Sequence, residues 1–210
     1  IVRGTIQPGY EPVLEEFQTN LKMGQDDGVQ FAAYAKGRCV VDLAGSVVSS
    51  SDSNDRLRRY DEGSYVCCWS SSKVLESAIM AWLVDRGHIS YDTKINDVWP
   101  EFTGGGKEKL TLRDVMKHEA GLKAVPFDAP VKLEEFLPEN IKAGCISKHI
   151  EGWECKFPEE PKSKQEYHAL TRGMILNETV RRVDPKERTM GEILREDFAE
   201  PLGIDKECYA

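Results

Sequence analysis

The chain has 210 residues, 40% of them hydrophobic, and its 36 acidic and 28 basic side chains leave a net charge of −8. That length fits one large domain or two small ones, with enough apolar material for a real core. Charge of both signs is mixed without a basic stripe, which argues against a nucleic-acid partner, and no apolar run is long enough for a membrane span.

The chain opens Ile1-Val2-Arg3-Gly4 rather than with methionine, so its start is expected to be processed, trimmed or incomplete, and a removed signal peptide would leave no trace. Apolar spacing predicts a helix over 10–25, with Val13, Leu14, Phe17 and Leu21 on one side and Asp26-Asp27-Gly28 ending it. β-formers over 29–35, a turn at Lys36-Gly37-Arg38 and a second run over 39–43 predict a hairpin. Residues 46–61 are polar and serine-rich and read as a loop, with Arg56, Arg58 and Arg59 as solvated surface.

The stretch Cys67-Cys68-Trp69-Ser70-Ser71-Ser72-Lys73 follows. The spacing of Val74, Leu75, Ala78, Ile79, Leu83 and Val84 predicts a helix over 70–86 with one buried face, stopped by Gly87. Ser70 and Lys73 lie three apart and share a face of its first turn. A serine hydroxyl becomes a good nucleophile when a base takes its proton. A lysine serves as that base when neutral, which burial and neighbouring positive charge favour. The helix N-terminus adds free N–H groups, and that of Ser70 could face a developing oxyanion. The bland alternative is an ordinary serine N-cap. Composition gives about one S-x-x-K by chance, so the motif is weak by itself.

Downstream, Ile95, Val98, Trp99 and Phe102 read as packing residues. Gly104-Gly105-Gly106-Lys107 lacks the spacing of a phosphate loop and reads as a flexible turn. Thr111 caps a predicted helix over 112–118, with Gly121 as its stop. Residues 123–164 are broken by Pro126, Pro130, Pro138, Pro158 and Pro161; 133–137 suggests a helical turn or two, and Trp153 and Phe157 either pack or line a pocket. Tyr167 opens a predicted helix to about 182, with Leu170, Met174, Ile175 and Val180 as core candidates. Thr189-Met190-Gly191-Glu192 is a capping box before a last helix, which Pro201-Leu202-Gly203 ends.

The six cysteines, Cys39, Cys67, Cys68, Cys145, Cys155 and Cys208, form no C-x-x-C, and His88 and His118 are not at metal-ligand spacing from them, so no metal site is expected. Free thiols in an intracellular, reducing compartment are the favoured reading, with a Cys145–Cys155 disulfide as the alternative.

Taken in order, Trp69-Ser70-Ser71-Ser72-Lys73, Leu83-Val84-Asp85-Arg86-Gly87, Val98-Trp99-Pro100-Glu101-Phe102, the run Leu110-Thr111-Leu112-Arg113-Asp114-Val115-Met116-Lys117-His118-Glu119-Ala120-Gly121-Leu122, Tyr167-His168-Ala169-Leu170-Thr171 and Pro201-Leu202-Gly203-Ile204-Asp205 resemble the serine β-lactamase-related family. That family includes class C β-lactamases, D-alanyl-D-alanine carboxypeptidases and β-lactamase-like carboxylesterases. The resemblance spans roughly residues 28–205. It implies an α+β fold of the β-lactamase/transpeptidase type, an antiparallel sheet with flanking helices plus a mostly helical subdomain, incomplete at the C-terminus. One domain is expected over 1–210, with a helix and hairpin in 1–66 and the helical part in 67–210.

The resemblance makes Ser70 the nucleophile, Lys73 its base or proton relay, and Tyr167 the tyrosine of the family's Tyr-x-Asn motif. A tyrosine beside an ammonium has a lowered pKa, so Lys73 and Tyr167 could share one proton. The implied reaction is acyl transfer to a small ester or amide, with no cofactor and no metal. Ala169 stands at the motif's asparagine, which resembles the esterase-type branch more than the antibiotic-hydrolysing one. The family's late Lys-Thr-Gly or His-x-Gly has no counterpart before Ala210, so the chain resembles the front portion of a longer protein. A non-catalytic scaffold or self-assembling relative is the competing expectation. The hairpin over 29–43, deprived of later strands, is expected to expose edges that self-associate, leaving the piece poorly soluble and inactive.

Overall fold

The computed structural model describes residues 1–47, 63–126, 130–156 and 164–206. Most of the serine-rich loop with its three arginines, Phe157, Pro158, Pro161 and Cys208 lie outside the described residues. The chain forms two compact units, Ile1–Cys67 and Cys68–Ala210.

In the first unit, strands β1 (Val2–Ile6), β2 (Gly28–Ala35) and β3 (Arg38–Ser46) make an antiparallel sheet in the order β1-β3-β2, and helix α1 (Glu11–Lys22) lies between β1 and β2 in the chain. The hairpin register pairs Phe31 with Leu43 and Val29 with Gly45. β1, which sequence periodicity does not reveal, is five residues long and carries Gly4 at φ 111°; it pairs with β3, so the hairpin has a third strand after all. Phe17 and Leu21 of α1 cluster with Val41 and Leu43 of β3. A Cβ at Gly45 would stand 2.6 Å from Leu21 Cδ1 and 2.8 Å from Phe17 Cε1, so the helix rests on bare backbone there. Each buried aliphatic or aromatic side chain of this kind contributes about 1.5–3 kcal/mol.

The second unit is helical. A 3₁₀ turn (Trp69–Ser72) leads into α2 (Lys73–Asp85); α3 (Ile95–Val98), α4 (Leu112–Met116), α5 (Pro138–Lys142), α6 (Cys145–Glu151), α7 (Thr171–Val183), α8 (Met190–Ile193), a π-helical turn (Leu194–Ala199) and α9 (Glu200–Leu202) follow. Helix α7 is the hub and touches α2, α3, α4, α6 and α8. Met80, Leu83, Trp99, Phe102, Ile150 and Ile175 are fully buried in the core around it. Both expected threonine caps form: Thr111 with Asp114 and Thr189 with Glu192 each make a reciprocal capping box.

Several expectations are corrected. Helix α2 begins at Lys73, preceded by the 3₁₀ turn, and ends at Asp85, one residue short of the expected 86. Its buried stripe is Ile79, Met80 and Leu83; Val74, in the first turn, is 68% exposed. The helix expected from Tyr167 starts only at Thr171, and Leu170 is exposed rather than core, because residues 165–168 bond to residues 117–122 instead of entering the helix. The glycine-rich turn is a docked structure. All three glycines have positive φ, Gly105 O accepts from Cys155 N–H at 2.8 Å, and Lys107 is buried. Its Nζ donates to the carbonyls of Ile150 (3.3 Å), Glu151 (2.7 Å) and Trp153, capping the C-terminal end of α6. Cys145 and Cys155 are free thiols, and burial pushes the Cys155 pKa up to about 11.

Candidate active site

The site is built where the start of α2 meets the segment that leads into α7. The 3₁₀ turn puts Ser70 one turn ahead of Lys73, whose N–H donates to the Ser70 carbonyl. Ser72 Oγ donates to Trp69 O at 2.6 Å and tightens the turn. Trp69 itself has φ 45°, a left-handed conformation costing about 1–3 kcal/mol in a bulky residue, and such strain clusters at functional positions. Its ring is not buried to compensate; it is 81% exposed.

The three predicted residues come together. The Ser70 hydroxyl and the Lys73 amine both act on the Tyr167 phenol. Lys73 Nζ lies 5.3 Å from the centre of the Tyr167 ring and donates to the Ala169 carbonyl at 2.7 Å. The Ser70 hydroxyl, then the amine and charge of Lys73, hold the Tyr167 phenol below the usual tyrosine range. A hydroxyl, an amine and an acidified phenol in one place can pass a proton among themselves. All three are at least partly open to solvent.

The sequence does not announce what supports them. Glu76, one turn beyond Lys73, pairs with the buried guanidinium of Arg172, which also donates to Ser77 Oγ at 2.9 Å. This clamp ties α2 to α7. Gly173 lets the carboxylate in, since a Cβ there would lie 2.9 Å from Glu76 Oε1. Behind Tyr167 is a histidine pair. His168 is buried; its Nδ1 donates to Glu166 O at 2.5 Å and its Nε2 accepts from Leu122 N–H at 3.1 Å. His118 Nδ1 accepts from His168 N–H at 3.0 Å. Burial lowers both histidines' pKa values; the charges of Arg172, His168 and Lys73 lower that of His118 further. The Glu166 carboxylate bridges Lys123 and Lys156 at 2.7 and 2.8 Å, and these bonds bring its pKa down to about 2.

Elsewhere, a groove of about 420 Å³ runs between α1 and β2, lined by Val13, Phe17, Val29 and Phe31 among others; it offers no nucleophile. Among the described residues no cluster of three or more His, Cys, Asp or Glu could hold a metal, and no helix is long and apolar enough to cross a membrane.

Comparison with known proteins bears on the family and the fold. The family model described as Beta-lactamase matches residues 15–206. The esterase/beta-lactamase LipL of Mycobacterium tuberculosis is 29% identical over 212 residues, covering 97% of this chain and 44% of LipL. A penicillin-binding protein homolog from Caulobacter crescentus is 32% identical at a TM-score of 0.78, covering 97% of this chain and 51% of that one. A family VIII carboxylesterase is 25% identical at a TM-score of 0.82, covering 100% and 53%. The chain thus spans about half the length of these relatives. With a β-lactamase/transpeptidase-like fold of antiparallel sheet and helices, and a match over nearly its whole length, this chain belongs to the Beta-lactamase family.

Proposed function

We propose that the protein is a serine hydrolase that acts on small esters or amides through an acyl-Ser70 intermediate. The observation that carries this reading is the meeting of Ser70, Lys73 and Tyr167 at the mouth of α2. Ser70 Oγ attacks the substrate carbonyl carbon while its proton passes to the Tyr167–Lys73 pair. The carbonyl electrons move onto oxygen, towards the Ser70 N–H. Collapse of the tetrahedral intermediate breaks the bond to the leaving group, which takes the proton back. Water then attacks the acyl carbon, gives its proton to the same pair, and releases the acid and free Ser70.

Esters are favoured over β-lactams. Ala169 supplies only its carbonyl, which Lys73 occupies, where an amide side chain would help to hold an antibiotic. Exposed Trp69, Val74 and Leu170 each stand next in the chain to Ser70, Lys73 or Ala169 and suit an apolar acyl group. The relative named a carboxylesterase supports the same choice, LipL is named for both activities, and these enzyme names favour catalysis over a scaffold role.

A fluorophosphonate probe tests the mechanism. The purified full-length protein should be labelled on Ser70 and should cleave short-chain p-nitrophenyl esters faster than a cephalosporin. Labelling that persists in Ser70→Ala sinks the proposal.

A further inference from the structure

Helix α4 ends in a way that its sequence does not explain. The Glu119 N–H bonds to Asp114 O at 2.8 Å and the His118 N–H to Val115 O at 3.1 Å, the two bonds of a Schellman termination. The residue at the left-handed position of that motif is normally glycine. Here it is His118, at φ 62°. A side chain kept where glycine would be less strained points to a use for it.

The side chain is engaged on two sides. Its Nδ1 accepts the main-chain N–H of His168 at 3.0 Å, and its ring lies 4.9 Å, centre to centre, from that of Tyr167. The main chain of His118 takes part as well, its carbonyl accepting Glu166 N–H at 2.9 Å. Residues 166 and 168, on either side of Tyr167, are therefore both fastened to His118. Gln165 Nε2 to Lys117 O at 2.8 Å and Leu122 N–H to His168 Nε2 at 3.1 Å extend the seam in both directions. These bonds fix the ring tautomers. His118 carries its hydrogen on Nε2, and His168 carries its own on Nδ1, where it donates to Glu166 O.

We infer that His118 is a positioning residue for the Ser70 reaction: it holds the backbone on both sides of Tyr167, and one face of the phenol ring, so that the hydroxyl stays on Ser70 and Lys73. This rests on the reading of Ser70, Lys73 and Tyr167 as the reacting groups. Without the His118 ring, the His168 N–H loses its acceptor and the phenol loses the ring beside it, while the main-chain bond to Glu166 remains, and the phenol drifts. A misplacement of about 1 Å costs such a reaction about 10²-fold.

The test uses His118→Gly and His118→Asn in the purified full-length protein. Glycine suits the left-handed position, so His118→Gly should melt at the wild-type temperature or above. Its fluorophosphonate labelling of Ser70 should nevertheless slow by about 10²-fold. Asparagine tolerates the same backbone and can offer Oδ1 to His168 N–H, so His118→Asn should label faster than His118→Gly and slower than wild type. Nitrogen-15 spectra of the imidazoles should show opposite tautomers at the two histidines. Wild-type labelling in His118→Gly, no recovery in His118→Asn, or a protonated Nδ1 at His118 would each overturn the inference. A wild-type protein that never labels at Ser70 breaks the catalytic reading instead. The inference then stands or falls on the His168 amide, which must be protected from exchange in wild type and His118→Asn and unprotected in His118→Gly.

Discussion

The turn at 69–73 and the loop at 104–107 each aim a lysine amine at main-chain carbonyls. Lys107 is wholly buried and gives its hydrogens to three carbonyls at the end of α6, so the ammonium has no donor left to offer. Lys73 is half-exposed, gives one bond to Ala169 O, and keeps its other hydrogens free beside the Tyr167 phenol. The same functional group is thus a structural cap in one place and, in the proposed reaction, a proton carrier in the other. What separates them is how many acceptors are already committed, not the sequence around them: a glycine run precedes one and a serine run the other, and neither run is diagnostic alone.

That contrast breaks if the two lysines respond alike to removal. Lys73→Ala should slow Ser70 labelling by about 10²–10⁴-fold while leaving the denaturant midpoint nearly unmoved. Lys107→Met should do the reverse. Three buried carbonyls lose their donor, and urea unfolding should show a loss of about 2–4 kcal/mol, with the folded fraction still labelled at the wild-type rate. A smaller change sharpens the same point from the backbone side. Gly105 sits at φ 58°, and a Cβ would lie 2.8 Å from Glu154 Cα, so Gly105→Ala should cost about 1–3 kcal/mol by pushing the loop off Glu154. The least effect comes from pH. Glu166 has its pKa lowered from 4.5 to about 2 by Lys123 and Lys156, so its contribution to stability is complete above pH 4.5 and is lost as the pH falls through about 2. Acid melts of wild type and Glu166→Gln should diverge above that window and converge below it; parallel curves would show the bridge to be inert.

Local pattern shows some of this and hides the rest. The hairpin, α1 and both threonine caps were legible because each is encoded within a few residues, by alternation, by 3.6-residue spacing or by T-x-x-D and T-x-x-E. Ser70, Lys73 and Tyr167 are candidates by likeness to a family; S-x-x-K spacing does not suffice by itself. Helices α5 and α6 were not legible, since each is short and lies among prolines, and their stability comes from packing against one another and, for α6, against α7. Lys107 was misread for a related reason: the carbonyls that hold it are more than forty residues away in the chain. The Arg172–Glu76 clamp and the His118–His168 bond are equally remote pairings. The one local hint of the latter was a histidine, rather than a glycine, after α4.

Tryptophan placement puts two of the four native indoles in opposite surroundings. Trp69 projects into solvent immediately before Ser70, whereas Trp99 is sealed in the core with its indole N–H on Glu151 at 3.0 Å. Emission from the first is open to collisional quenchers and to whatever occupies the site, and emission from the second reports the integrity of the helical core, so occupancy and unfolding can be followed at separate wavelengths once Trp82 and Trp153 are replaced by phenylalanine.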